Sequence, residues 1–491
     1  MTPAARVDAA IELLDVILRE TRPADQVIAH WLRGRRYVGS KDRGWIVEAV
    51  YACLREKQRL EWWASRAGLP AKPRSLVIVC LMLIDHRTGN EMPELFDGST
   101  HGPSRLSDIE RMAVQALHGQ ALESDIQPRA VRLNLPGMAL DRLIARFGDR
   151  LDVVGEAMNA PAPVDLRANL LKVDRETVRT MLAKEGVIAE PTPFSPMGLR
   201  LERRMPIFHT RAFSNGLAEV QDEGSQLVAL LVDAKPGDQV ADFCAGAGGK
   251  TLAMAATMAN KGRIMALDVS EARLERMSDR MRRAGAHNIE RRTLKHERDA
   301  WVRRHKLKFD RVLVDAPCTG SGTWRRSPDA KWKLTEQTIT ELVDLQARIL
   351  DSAARLVKTG GRLVYATCSL LPEENEAQLA RFLDSHATEF RQLDAREILP
   401  ADLAAGLHLT GPEMALDPAA HGTDGFFAVA FERIADPEGT EPPRRRRDDA
   451  DDFDTGIDLD GDDDIDDDDI GGEDIEGEDI EGEGIDGDAA R

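Results

Sequence analysis

Val240-Ala241-Asp242-Phe243-Cys244-Ala245-Gly246-Ala247-Gly248-Gly249-Lys250-Thr251 is the stretch that decides the fold. An apolar run reads as a strand, the glycines form a turn, and a helix begins near Gly249. Glycines let a backbone turn tightly and approach a ligand closely. Three ligand classes use such turns. A phosphate-binding G-x-x-x-x-G-K-T loop would need its leading glycine at position 244, which is Cys244. A strict G-x-G-x-x-G dinucleotide fingerprint would need its third glycine at position 251, which is Thr251. What is left is a nucleoside-binding turn with no pyrophosphate to cradle, as S-adenosylmethionine requires. Asp268 supports this reading, because it ends the next apolar run, 26 residues after Asp242. A carboxylate there can accept both ribose hydroxyls. Taken alone, the loop also admits a purely structural strand-turn.

Working outward, residues 225 to 434 alternate strand and helix patterns. Gln239–Phe243, Arg263–Val269, Phe309–Val314 and Arg362–Ala366 are short and apolar, each followed by loop or helix signals. Ser270 is placed to cap a helix whose Leu274, Met277, Met281 and Ala284 form a stripe ending at Gly285. Gly360-Gly361 is expected to end another long helix that starts near Thr335. This alternation predicts a doubly wound, largely parallel sheet of Rossmann-like class.

Two further loops fall at strand ends in that scheme. Asp315-Ala316-Pro317-Cys318-Thr319-Gly320-Ser321-Gly322 follows one strand, and Thr367-Cys368-Ser369 follows another. In a parallel sheet both open on the same edge as the glycine turn, where ligands bind. Two thiols and a carboxylate therefore converge on the methyl donor. Carbon 5 of cytosine is a poor nucleophile, and a thiolate adding to carbon 6 turns the ring into an enamine that can attack a sulfonium methyl. A carboxyl such as Asp315, protonated or sharing a proton, can offset the charge that develops at ring nitrogen 3. A lone cysteine after a strand is usually a small buried hydrophobe, so the pairing carries the inference. On this reading Cys318 and Cys368 are both candidate nucleophiles.

These motifs, in this order, resemble the RsmB/Nop/Sun family of RNA cytosine-5 methyltransferases. Further matches are Gln221-Asp222-Glu223-Gly224-Ser225-Gln226, Arg325-Arg326-Ser327-Pro328-Asp329-Ala330-Lys331-Trp332 and His421-Gly422-Thr423-Asp424-Gly425-Phe426-Phe427, so the likeness covers about 160–434. Residues 1–130 more weakly resemble the NusB-like helical domain that precedes this core in bacterial rRNA members. The resemblance implies that Cys368 is the nucleophile, that Cys318 assists release of methylated RNA, that Asp315 contacts the target base and that Lys250 lies close to it. It also implies a cofactor site made by Cys244, Ala245, Gly246, Ala247, Gly248, Gly249 and Lys250, with Asp268, Arg273 and Asp315. The family usually has Ala-Pro where this chain has Gly246-Ala247, and an Asp after the third strand. Here that region reads Thr293-Leu294-Lys295-His296-Glu297-Arg298-Asp299, with Glu297 as the substitute and Asp299 as its rival.

The expected organisation is a NusB-like helical RNA-binding domain over 1–135, a small α+β RNA-binding segment over 136–220, a methyltransferase domain over 221–434 and a disordered acidic tail over 435–491. In the first domain Val7, Ile11, Leu14 and Leu18 form a helical stripe, and Asp42 is a candidate cap for the series Trp45, Ile46, Val50, Tyr51 and Leu54. Arg33, Arg35, Arg36, Lys41 and Arg43 read either as RNA contacts or as a solvated face. Arg325, Arg326, Lys331 and Lys333 are candidates to grip phosphates, and Trp324 or Trp332 to stack on a base, with simple packing as the competing reading of Trp332.

The net charge of −19 hides a division, since residues 448–491 alone carry −22 and the remainder +3. One isoleucine in every five from Ile465 to Ile485 cannot make a core. Five scattered cysteines with no C-x-x-C pair argue against a disulfide framework or zinc site and for a reducing, cytoplasmic setting. Neither a signal peptide nor an apolar run long enough for a membrane is expected. The expected partner is RNA, small-subunit rRNA before tRNA, bound by a monomer. The rivals are a non-catalytic ribosome-assembly factor and a DNA cytosine methyltransferase. A thiol cannot reach carbon 6 in a stacked duplex, so the target base must be single-stranded or flipped out.

Overall fold

The computed structural model describes residues 1–436, so all but the first two residues of the expected tail lie outside the described residues. The N-terminal region is helical. Thr2 caps the helix Pro3–Arg19 by accepting from the Ala5 amide, with Pro3 at the first position. Val7 and Leu14 are buried as the stripe predicts, but Ile11 and Leu18 sit at the rim, and Ala10, Leu13 and Ile17 complete the buried face. The helix Pro73–Leu83 is apolar on every side and runs through the centre of this core. Asp42 is not a cap. The helix it was expected to precede starts earlier, at Ser40, behind Gly39, and Asp42 instead accepts from the Met1 amino group at 2.8 Å. No described helix is long and apolar enough to cross a membrane.

A small antiparallel sheet follows. Its strands are β1 (Asp165–Ala168), β2 (Ala189–Pro191), β3 (Gly198–Leu201) and β4 (Ala218–Val220), in the order β2-β3-β1-β4. The helix Arg175–Lys184, capped by Asp174, covers one face through Val178 and Leu182.

The large sheet contains β5 (Gln239–Asp242), β6 (Arg263–Asp268), β7 (Ile289–Thr293), β8 (Phe309–Asp315), β9 (Val357–Thr367), β10 (Phe390–Leu393), β11 (Met414–Leu416) and β12 (Phe426–Arg433). The order is β10-β12-β9-β8-β5-β6-β7, with β11 beside β12. The pairs joining β7, β6, β5, β8 and β9 are parallel, and β12 runs antiparallel to β9. This is the largely parallel, Rossmann-like arrangement expected from the alternation. The chain leaves β5 toward β6 and β7 and later returns to β5's other side as β8. Such a reversal opens a crevice at the carboxyl ends of β5 and β8. Ser270 caps Glu271–Ala284, and Gly285 closes it in the left-handed region, as predicted. Gly360-Gly361 does not end the preceding helix. Thr335 caps that helix, but it stops at Ala354, and the glycines bend β9 itself beside a register shift against β8.

The segment Trp324–Leu334 joins the parts. Trp324 is 1% exposed and packs with Leu133, Leu143 and Leu151 of the connecting helices. Trp332 donates to the Leu54 carbonyl at 2.6 Å, and the Asp329 carboxylate accepts from the Ala24 amide at 2.9 Å. Lys331 is buried and donates to the carbonyls of Arg55 and Asn134 and to Asn159 Oδ1. Arg325 and Arg326 are paired with Asp424, and Arg326 also with Asp222, at the start of the helix Glu223–Val232. Lys333 donates to the Arg22 carbonyl and pairs with Asp329. These groups are therefore joints between parts of the fold rather than a free grip on phosphates. The local sequence reads as a surface, but each of these charges has an acceptor within the fold.

Burial pushes the Lys331 ammonium down to about 7. The unfolded chain keeps the ordinary, higher value, so above that pH unfolding takes up a proton and stability rises with pH. The expected contribution is a slope of up to about 1.4 kcal/mol per pH unit between about pH 7 and pH 10. Urea unfolding at about pH 7 and about pH 9 should show a shallower slope in Lys331→Met, and an unchanged slope would contradict the assignment.

Candidate active site

The glycine turn is held from three sides. Phe243 and Ala245 donate to the Leu313 and Leu267 carbonyls at 2.8 and 2.9 Å, carrying the sheet's pairing past the end of β5. Asp268 accepts from the Gly246 amide and the Ser270 amide, each at 2.8 Å, so it fixes the turn and the next helix start together. Gly248 has φ of 84°, and a Cβ there would lie 2.6 Å from Met277 Cγ. The turn therefore sits flat against the helix that follows β6. Arg280 donates to the Ala247 carbonyl at 2.6 Å and pairs with Glu219 of β4. Arg167 of β1 is buried and donates to the Gly249 carbonyl at 2.7 Å and to Gln221 at 2.8 Å. The small sheet thus buttresses the turn.

Beneath the turn lies a cavity of about 640 Å³, a size suited to a nucleoside-containing ligand. Cys244, Ala245, Gly246, Ala247, Gly249, Lys250, Asp268, Arg273, Glu297 and Asp315 line it, so ten of the sequence-predicted residues meet in one space. Sequence reasoning missed Asp242, Gln221, Ser225, Arg276, Leu345 and Ile349, which also line it. Gln221 and Ser225 lie in a quoted motif, while Leu345 and Ile349 come from the far helix Glu336–Ala354 and carry no local signal. Asp299 is not among the lining residues. Its carboxylate caps the helix Ala300–Arg304 and accepts from the Lys295 amide. Glu297 points to the cavity and pairs with Arg348 at 2.8 Å.

Asp242 is the informative omission. Thr251 donates to its Oδ2 at 2.7 Å, and its buried Oδ1 has no partner. Burial, with repulsion from Asp315 and Asp268, pushes its carboxyl up to about 7 despite the Thr251 hydrogen bond. A cationic ligand would relieve that cost. S-adenosylmethionine brings two positive groups, an α-ammonium and a sulfonium, into a cavity with the carboxylates of Asp242, Asp268, Asp315 and Glu297. The residues present therefore fit it.

At the carboxyl ends of β8 and β9 the two cysteines meet. Cys318 Sγ lies 3.4 Å from Cys368 Sγ. Their hydrogen bond, followed by burial, pushes the Cys318 thiol well above its ordinary range. Burial pushes the Cys244 thiol up as well, with Asp242, Asp268 and Asp315 adding to it. Lys250 donates to Asp315. Burial alone would lower the Lys250 ammonium, but Asp315, then Cys368 and Asp242, outweigh it and raise its pKa.

One buried side chain ties the two thiol loops together. Glu374 accepts from the Thr319 amide at 2.9 Å, Thr319 Oγ1, Ser369 Oγ and Gln346 Nε2 at 2.9 Å. Ser321 Oγ contacts Ser369 Oγ at 3.0 Å and accepts from the Leu370 amide at 2.8 Å. The Gly322 amide donates to the Cys368 carbonyl at 2.9 Å. A Cβ on Gly322 would strike the Gly425 carbonyl oxygen at 2.2 Å, so the Cys318 loop also lies directly on the start of β12.

Comparison with known proteins agrees with this architecture. A family model described as 16S rRNA methyltransferase RsmB/F matches residues 229–432, and one described as an RsmF/B-like, ferredoxin-like domain matches 135–208. The ribosomal RNA small subunit methyltransferase B of Pectobacterium carotovorum is 31% identical over 408 residues, 80% of this chain and 91% of that protein. The crystal structure of PH0851 matches with a TM-score of 0.70 at 26% identity, covering 88% of this chain and 99% of that one. A methyltransferase homolog protein from Pyrococcus horikoshii matches with a TM-score of 0.52 at 32% identity, covering 62% of this chain and 97% of that one.

Glu374→Gln keeps the shape but turns one acceptor into a donor facing Thr319 and Ser369. The expected cost is roughly 2–4 kcal/mol of stability in urea unfolding. Binding of S-adenosylmethionine, read by calorimetry, should stay within about twofold, since the variant removes no group from the cavity. Loss of cofactor binding with unchanged stability would contradict this division.

Proposed function

Because this chain belongs to the RsmB/F family of 16S rRNA methyltransferases, we propose that it methylates carbon 5 of a cytosine in small-subunit rRNA through a covalent bond from Cys368. The broader activity follows from the family: it is an S-adenosylmethionine-dependent rRNA methyltransferase. The observation that carries the finer reading is the contact between Cys318 and Cys368 beside the Lys250–Asp315 pair.

In this reading Asp242, the 244–249 turn, Asp268, Arg273 and Glu297 hold S-adenosylmethionine, with Asp268 on the ribose and Asp242 toward positive charge. When bound, the cofactor supplies an electrophilic methyl group. The choice of Cys368 over Cys318 as the nucleophile rests on the family resemblance. Lys250 sets a positive charge near the Cys368 sulfur, which favours attack by a thiolate there. The Cys368 thiolate forms a bond to carbon 6 of the cytosine. The ring's electron pair moves toward carbon 5 and nitrogen 3, where the proton shared by Lys250 and Asp315 offsets the developing charge. Carbon 5 takes the methyl group. Loss of the carbon-5 proton then restores the ring double bond and expels the thiolate. Cys318, touching the Cys368 sulfur, acts at this release.

The base must be flipped or unpaired to reach that edge. Residues 1–135 and 136–220 serve RNA binding in this proposal, around a catalytic unit of 221–434. Exposed Arg33, Arg36, Tyr37 and Lys41 offer the first of these a cationic surface with an aromatic. The setting is cytoplasmic, where ribosomes are assembled.

With radiolabelled cofactor and unmodified small-subunit rRNA, Cys368→Ala should lose at least about 1000-fold in transfer, as expected for removal of a covalent nucleophile. Retained transfer would remove Cys368 from that role. Cys318→Ala should accumulate a protein–RNA band that survives denaturing electrophoresis, and the absence of such a band would refute the release role.

A further inference from the structure

The small sheet carries a second pocket, outside the cofactor cavity. It encloses about 270 Å³ and is lined by Gly186, Ile188, Glu202, Arg203 and Met205. Gly186 and Ile188 precede β2 and the other three follow β3, so the pocket sits at one end of the small sheet. The strand register fixes which end. Ala189 pairs with Leu201, Arg200 with Asp165, and Leu166 with Val220. Val220 and Gln221 line the cofactor cavity. Pocket and cavity therefore lie at the same end of one sheet, three strand spacings or about 15 Å apart.

The rim of the pocket is apolar and cationic together. Ile188 and Phe208 are each 54% exposed. The Arg211 amide donates to the Glu185 carboxylate at 3.1 Å, which sets the turn 207–210 beside Gly186. Phe213 meets the Phe208 ring edge-on, with centroids 4.9 Å apart, and holds it while more than half stays exposed. Arg203, Arg204 and Arg211 are exposed and make no ion pair among the described residues. Arg204 faces the helical region, where burial and then the Arg204 charge lower the Arg55 guanidinium's pKa. Two acids lie nearby. The Arg211 amide engages Glu185, and Glu202 lines the pocket as an acceptor.

These features fit a single strand of RNA. A ring of this kind stacks on bases, and arginines beside it grip the phosphates between them. A space just below the roughly 300 Å³ of small-ligand pockets suits one base. A carboxylate such as Glu202 accepts from an exocyclic amine, which adenine, guanine and cytosine carry and uracil lacks. A protein partner is the rival occupant. Unpaired arginines favour a polyanion over it, and the sheet end leads to the cavity where a target base must arrive. We propose that this pocket is a subsite for an unpaired, amine-bearing base a few nucleotides from the target, with Phe208 stacking on the neighbouring base and Arg203 and Arg204 holding phosphates. The subsite rests on the reading of this chain as an RNA cytosine methyltransferase, and it adds where the strand lies and what chemistry it presents.

Fluorescence anisotropy with labelled oligoadenosine of about ten nucleotides tests it on the intact chain. Phe208→Ala should weaken binding at least about fivefold, and Phe208→Tyr, which keeps the ring, should restore it. Arg203→Ala/Arg204→Ala, confined to exposed side chains, should lower the slope of log affinity against log salt by about 1.4, the share of two single-strand phosphates. Glu202→Ala should weaken oligoadenosine at least about threefold and leave oligouridine no weaker, although it removes a negative charge. Affinity within about twofold in Phe208→Ala, an unchanged salt slope, or equal effects of Glu202→Ala on both oligomers would overturn the subsite, the first two in favour of a protein partner. Oligoadenosine holds no cytosine and needs no cofactor, so these outcomes are independent of methyl transfer. An unaltered chain that passes them yet methylates no rRNA would lose the proposed activity and keep the subsite.

Discussion

A buried carboxylate holds the catalytic edge together. Glu374 sits outside the cofactor cavity, yet it accepts from both thiol loops and from the helix Glu336–Ala354. A buried acid is tolerated only when its oxygens are fully engaged. Here the donors it needs are Thr319, Ser369 and Gln346, so satisfying Glu374 forces residues far apart in sequence into one geometry. The 3.4 Å contact between Cys318 and Cys368 is the result. Tyr365 of β9 donates to the Glu374 carbonyl at 2.7 Å, and Asn375 receives from Thr367 and donates to the Ser369 carbonyl. The loop after β9 is thus fixed from both sides of its cysteine. Preorganisation of this kind lets two thiols take different parts in one reaction.

The second constraint lies in the joints. Lys331, Trp332 and Asp329 reach the N-terminal helices, while Arg325 and Arg326 reach the acids at Asp222 and Asp424. Burial, followed by repulsion from Asp424, pushes the Asp222 carboxyl up to about 6, so the arginines offset a cluster that would otherwise repel itself. Such buried pairs contribute little net stability but hold a register strictly. Their effect is to fix the helical region and the small sheet relative to the cysteine edge.

How much of this was legible in the sequence depends on the range of the signal. Local signals read well: Ser270 and Gly285 bound their helix, the glycine turn follows β5, and Asp315 and Cys368 fall at strand ends. The turn's failure to match two phosphate-binding patterns separated the cofactor class without any structure. Signals that depend on tertiary partners did not read. Arg325, Arg326 and Lys331 look like an RNA surface because nothing local reveals that Asp222, Asp424 and three internal acceptors await them. Asp242 looks like an ordinary strand end, and only its orphaned oxygen marks it as part of the site. Gly360-Gly361 carries the usual helix-stop signature, but pairing of Val357 with Phe309 overrides it. Glu374 has no distinguishing pattern, since its importance lies wholly in its partners.

The account rests on the division of labour between the two thiols, and a trapped intermediate tests it most directly. RNA in which the cytosines carry fluorine at carbon 5 cannot lose a proton there, so the unaltered chain should stop after methyl transfer with the base still bound to sulfur. Digestion of that complex and mass spectrometry of the peptides should locate the nucleotide on Cys368, with Cys318 unmodified. A nucleotide found on Cys318, or no covalent complex at all under turnover conditions, would contradict the account.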